Sequence, residues 1–149
     1  MASTSYPENA QDWRGRFIAN LAAALARRED ISLALFAPPG ELPDNVTAAA
    51  TPDDTRWLKW LSQQGGIAHL IRNRRMIAAV TVVQLLARLG RCYRRQPLDV
   101  AHVNWLQNAL PLWGTRTPAL ITVLGSDFGL LRLPGMKMAL RAVLRQRRA

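Results

Sequence analysis

Cysteine is nearly missing from this chain: Cys92 is the only one among 149 residues. An internal disulfide is excluded, and the composition fits a reducing cytosol. Histidine is almost as scarce, and His69 and His102 stand too far apart in sequence for a zinc-ligand spacing. A long apolar run is missing too. Met76–Ala87 is twelve residues, contains Thr81 and Gln84, and falls short of the roughly 20 that span a bilayer. "MASTSYPENAQDW" has neither the basic start nor the apolar core of a secretory signal. Acid is the most uneven shortage. Residues 1–54 hold eight acids and four bases, whereas 55–149 hold sixteen bases against Asp99 and Asp127 alone. So lopsided a chain is expected to meet something anionic with its second half, whether a phosphorylated ligand, lipid or nucleic acid. The plainer alternative is a set of solvated arginine faces that keep the protein soluble.

With 49% hydrophobic and 20% charged residues the chain reads as a globular domain, expected to be single over 1–149. "RFIANLAAALARR" (16–28) spaces Phe17, Leu21 and Leu25 four apart, a helical stripe. "ISLALFA" (31–37) reads as a short buried strand stopped by "PPG". "TPDDTRWLKWLSQQGG" (51–66) opens a helix with Thr51 as cap, Pro52 at the first position and acids in the first turn. A long helix follows from about Asn73 to Arg95, then strands at 99–103 and 119–124 separated by a short helical stretch, 106–113. A last helix starts near Pro134. This alternation predicts an α/β fold: a Rossmann-like parallel sheet with helices on both faces and ligands at the carboxyl ends of the strands. The opening strand of such a sheet is missing or reduced to a stub at Ala2–Ser5. A stub that short is expected to leave neighbouring strand edges unpaired and the fold marginal.

No Walker loop and no G-x-G-x-x-G is present, and "LGSDFG" is not the G-x-S-x-G elbow of a serine hydrolase. Ser126 with His102 as a hydrolase pair is therefore a weak rival. Gly15, at the start of the first helix, either serves a turn or lets an anion approach unpaired N–H groups. Ser126 and Asp127 either cap a turn or offer a carboxylate to hydroxyl groups at the rim. In the last helix Met136, Leu140, Val143 and Leu144 form an apolar stripe, with Lys137, Arg141, Arg145 and Arg148 on an adjacent face. That basic face suits a membrane surface or another polyanion; the alternative is a helix packed on the sheet with its arginines in water.

Three segments carry a family resemblance. "SYPENAQDWRGRFIANLAAALARR" resembles the entry loop and first helix of bacterial glycosyltransferases of the two-domain GT-B fold, family 4-like. "LDVAHVNW" is similar to that family's "FDVVHVHW" strand, and "ITVLGSDFGLL" to its "VTVHGSDLRLL". The resemblance covers nearly the whole chain but only the amino-terminal, acceptor-side half of such an enzyme. It implies a hexosyltransferase parent in polysaccharide biosynthesis, moving sugar from a nucleotide diphosphate sugar to a glycan or lipid-linked acceptor. The implied enzyme has no further cofactor and no metal, and works in the cytoplasm or at the inner face of the membrane.

By the same resemblance the donor-binding domain is not in this chain, which would be inactive alone or rely on a separate donor-binding chain. Asp12, Arg14 and Gly15 fall where the family's loop approaches donor phosphates, and Gly125, Ser126 and Asp127 where it lines the cleft. The family's histidine before Gly-Ser-Asp is Leu124 here. Asn104 and Trp105 would line the acceptor cleft with His102 behind them; the alternative for His102 is a hydrogen-bonded, half-buried ring. On the first reading His102→Ala destabilises by about 1–3 kcal/mol and Asn104→Ala, as a surface change, by under about 0.5 kcal/mol. A basic Rossmann-like module binding nucleic acid or another polyanion is the rival function.

Overall fold

The computed structural model of the chain describes residues 1–125 and 135–145. It is mixed α/β, with helix well ahead of strand and two small parallel sheets. The backbone divides into two compact units: Met1 with Ser3–Ala78, and Ala2 with Ala79–Ala149.

In the first unit α1 (Arg16–Ala26) buries Ile18, Ala22 and Ala26, one residue per turn, and packs on β1 (Leu33–Leu35). Parallel to β1 runs β2 (Val46–Ala48), in register Leu33↔Val46 through Leu35↔Ala48. The Asn45 side-chain amide donates to the Ala26 carbonyl and so closes the end of α1. β2 was not anticipated: it has a single large apolar residue and lies in a stretch of proline, aspartate and asparagine. Thr51 caps α2 (Pro52–Gln63), accepting from the Asp54 amide, while the Asp54 carboxylate accepts from the Thr51 amide and hydroxyl at 3.2 and 2.7 Å. Asp54 is buried, so this box holds a carboxylate as well as a helix end. Gly65 and Gly66, both with positive φ, reverse the chain into α3 (Gly66–Asn73). Leu61 and Leu70 are thereby brought together with Ala78, and Trp57, Ile67 and Ile71 pack around them.

α4 (Arg75–Arg95) begins in the first unit and continues into the second. The twelve-residue apolar run belongs to this longer helix: Met76–Arg95 is 20 residues, and an 18-residue stretch of it reaches a mean hydropathy of 1.3, so it passes for a membrane-spanning helix by length and composition alone. The face bearing Leu85, Leu89, Cys92 and Tyr93 is buried, and Cys92 is an ordinary helix residue within it. β3 (Ala101–Asn104) pairs in parallel with β4 (Ala119–Thr122), from Ala101↔Ala119 to Asn104↔Thr122. Between them lies a 3₁₀ segment, Leu106–Leu112, which keeps Leu106, Ala109 and Leu112 inside. α5 (Met136–Arg145) packs on that segment through buried Leu140 and Val143.

The stub expected at Ala2–Ser5 is formed by Met1–Ser3, and it does not leave β1 and β3 unpaired on that side. In the first unit the Met1 amine donates to Ala34 O (2.6 Å), Phe36 N to Met1 O, and Ser3 N to Phe36 O. In the second unit Ala2 bridges Val103 in parallel, its N–H donating to His102 O and its carbonyl accepting from Asn104 N. Three residues thus do for β1 and β3 what a longer strand was expected to be needed for, because peptide groups need partners more than they need length.

Replacing Thr51 by alanine removes the α2 cap and one partner of the buried Asp54 carboxylate. The change is expected to lower stability by about 1–2 kcal/mol, seen as a reduced urea midpoint at unchanged m-value.

Candidate functional site

The residues singled out in the first unit sit on the loop between Ser3 and α1. That loop folds on itself: Asp12 accepts from the amides of Glu8 (3.3 Å) and Arg14 (3.0 Å). It also takes the Arg14 guanidinium in a forked pair at 3.0 and 3.3 Å. Hydrogen bonds from Arg14 hold the Asp12 carboxyl down to about 2, so it is ionised across the physiological range. Gly15 follows at the start of α1 with φ 69°. A Cβ there would lie 2.7 Å from the backbone of Ser5 and Tyr6, so any side chain is excluded by space as well as by conformation.

Tyr6 is buried, which raises its pKa, and its hydroxyl donates to Glu41 O at 2.9 Å. The Tyr-Pro loop is thereby tied to the turn after β1. The amides of Ile18 and Ala19 donate back to Gly15 O, and that of Arg16 to Trp13 O. These N–H groups at the head of α1 are therefore engaged within the loop and helix themselves. Asp12, Arg14 and Gly15 do form one constellation, rigid and charge-paired.

In the second unit the residues gather at the carboxyl ends of β3 and β4. His102 Nε2 lies 2.9 Å from Thr122 Oγ1, and burial pushes the imidazole pKa down. The Thr122 carbonyl accepts from the Trp105 amide at 3.0 Å. Thr122 therefore joins His102 to Trp105, a role missed in the sequence; its one trace there was a polar residue ending each strand, "AHVN" and "ALIT". His102 is the hydrogen-bonded, partly buried ring of the alternative, on a strand face where its register partner Leu120 and the neighbouring Val100 are exposed. Ala101 and Val103 are the buried pair.

Asn104 requires a correction. Instead of lining an open cleft it is fully buried, its side-chain amide donating to Ala2 O at 3.3 Å. Its backbone carbonyl accepts from the Asn108 side-chain amide at 2.7 Å, and the Asn108 backbone carbonyl accepts from the Tyr93 hydroxyl at 2.9 Å. The strand was expected to end at Val103, with Asn104 past it on the rim; β3 includes Asn104, which turns inward. Trp105, directly after it, has φ 69° and ψ 134°, and no other described residue but glycine has positive φ. Side chains rarely adopt that backbone, and holding one there costs on the order of 1–3 kcal/mol.

Gly125 is exposed and ends the described part of this rim. Ser126, Asp127 and Arg148 lie outside the described residues. On α5, Lys137, Arg141 and Arg145 are exposed while Leu140 and Val143 are inside, so the helix is packed with its basic side in water. Leu144, expected in the apolar stripe, is itself exposed. Among the described residues no three histidine, cysteine, aspartate or glutamate side chains cluster as metal ligands. His69 is used locally, 3.0 Å from the Asn73 amide.

No family model, no curated protein and no solved structure matches this chain.

Two measurements follow from the second unit. Because Asn104 is buried, Asn104→Ala should cost about 1–3 kcal/mol through a lost hydrogen bond and a cavity, against the under 0.5 kcal/mol of a surface site. A denaturant midpoint indistinguishable from the parent would refute this. The second measurement concerns pH. A histidine pKa lowered by folding means that the unfolded chain takes up the proton first. Stability should thus be complete above the ordinary imidazole range and fall as pH drops through it; in His102→Gln that fall should flatten.

Proposed function

We propose that the chain is the acceptor-side part of a GT-B glycosyltransferase with a Rossmann-like arrangement, its sugar-facing residue being Trp105. The observation that carries this reading is the backbone of Trp105. It stands at the carboxyl end of a parallel strand, where ligands of α/β proteins sit. It is held in a glycine-like conformation by the Thr122 carbonyl. Strain of this kind persists where the surrounding structure imposes it, and it gathers at binding sites. An indole fixed on a rim offers a flat apolar face with a polar edge, which suits the C–H face and hydroxyls of a sugar ring. His102, through Thr122, positions it.

In the same reading the Asp12–Arg14 pair and Gly15 shape the loop that faces the donor diphosphate. The sugar, whether on a glycan or a lipid-linked acceptor, and the nucleotide sugar are the two substrates. Catalysis requires donor-binding elements that the resemblance assigns to a second domain.

Saturation-transfer NMR with short oligosaccharides tests the reading. Transfer from protein to sugar protons is expected with the parent chain and should be lost in Trp105→Ala at unchanged circular dichroism. No transfer to any sugar, together with RNA binding that weakens steeply with salt, would replace this function by that of a polyanion-binding module.

A further inference from the structure

α4 has two apolar faces, and only one is used by the fold. Leu85, Leu89, Cys92 and Tyr93 are buried, and the Tyr93 hydroxyl reaches Asn108 O. The opposite side carries Met76, Val80, Val83 and Ala87, spaced i, i+4, i+7 and i+11, a single straight stripe on an uninterrupted helix. Met76 is 84% exposed, Val80 58% and Val83 66%. Isolated exposed hydrophobics need no explanation, but a row of them along three turns does.

The charges around this stripe define what can cover it. Exposed Arg91 and Arg94 continue it at its carboxyl end, and exposed Arg72 and Arg74 precede it. Between Thr55 and Leu98 the chain has no aspartate or glutamate at all. A second copy laid antiparallel on the stripe would set arginine against arginine with no acid to separate them. Nucleic acid would meet the arginines but leave methionine and valines against polar groove edges. An anionic bilayer satisfies both requirements, with apolar side chains below the headgroups and guanidinium groups at phosphate level.

We propose that the outward face of α4, Met76–Val80–Val83–Ala87 with arginines at either end, lays this helix on an anionic lipid surface. Although α4 is long and apolar enough to cross a bilayer, its other face is committed to the protein interior, so the helix lies in the interface. The surface is distinct from the basic side of α5 to which the sequence pointed. It stands independently of the glycosyltransferase reading.

Flotation of the full chain with phosphatidylcholine vesicles, with and without phosphatidylglycerol, tests the proposal. Binding is expected only with phosphatidylglycerol. Val80→Asp with Val83→Asp, both at exposed positions, should weaken it by about tenfold or more, since buried apolar area and anionic attraction act together. Lys137→Gln with Arg141→Gln should leave most of it. Val83→Cys, labelled with an environment-sensitive fluorophore while buried Cys92 stays unreacted, should shift to the blue on binding and be quenched by brominated lipid. No flotation, flotation indifferent to the Val80 and Val83 changes, or a label that stays in water would overturn the proposal. So would a parent dimer that these two changes convert to monomer.

Discussion

Strands of three and four residues can exist only if nearly every peptide group in them finds a partner, and the structure depends on how that requirement is met. Each sheet has two strands, and β1 and β3, besides pairing with β2 and β4, find partners for their second row of donors and acceptors. Met1 and Ser3 answer for β1, and Ala2 answers for β3. The same economy extends to the rim. The Ala2 carbonyl serves both the backbone and the side chain of Asn104, and the Thr122 carbonyl serves Trp105. The unusual backbone of Trp105 is thus the continuation of a hydrogen-bond pattern beyond the end of β3, not an isolated kink.

What was legible in the sequence follows from what has a period. α1 declares itself by apolar spacing, although Ile18, Ala22 and Ala26 rather than Phe17, Leu21 and Leu25 form its buried face, α2 by its cap, α4 by its long apolar run, and β1, β3 and β4 by short apolar runs between breakers. β2 has no such signal, because Val46 is the only large apolar residue in it and pairing with β1 alone makes it a strand. Asn73, expected in the long helix, instead ends α3, since two left-handed glycines allow a second helix to start at once. The site was less legible than the fold. Asp12, Arg14 and Gly15 were found together because they are neighbours in sequence. Thr122 was missed because its partners, His102 and Trp105, are brought to it only by parallel register. Asn104 was placed at an open cleft by the resemblance, whereas here it is buried, its side-chain amide taken up by the Ala2 carbonyl and its Oδ1 left without a partner.

Charge and hydrophobicity separate along the chain in a way that the helices turn into faces. α5 turns Leu140 and Val143 inward and Lys137, Arg141 and Arg145 outward, with Met138 and Leu144 left on the exposed side. α4 leaves a longer apolar row outside, because its two apolar sides exceed what one core can cover. Composition alone could not distinguish these cases, since both helices are rich in aliphatic residues and arginine. The difference lies in how many sides of the helix the rest of the protein reaches.

The partners of Ala2 also set an order of events during folding. α2, α3 and the start of α4 close their cluster from residues within a few turns of one another, Leu61, Leu70 and Ala78, so this part can form from local contacts alone. Ala2 must instead find Asn104, 102 positions later. At the usual pace of synthesis, about 5–20 residues per second, Ala2 leaves the ribosome on the order of 5–20 s before its partner strand exists. The segment made first can therefore be held to β1 through Met1 and Ser3 as soon as Ala34 and Phe36 have been made, and is joined to β3 through Ala2 only later.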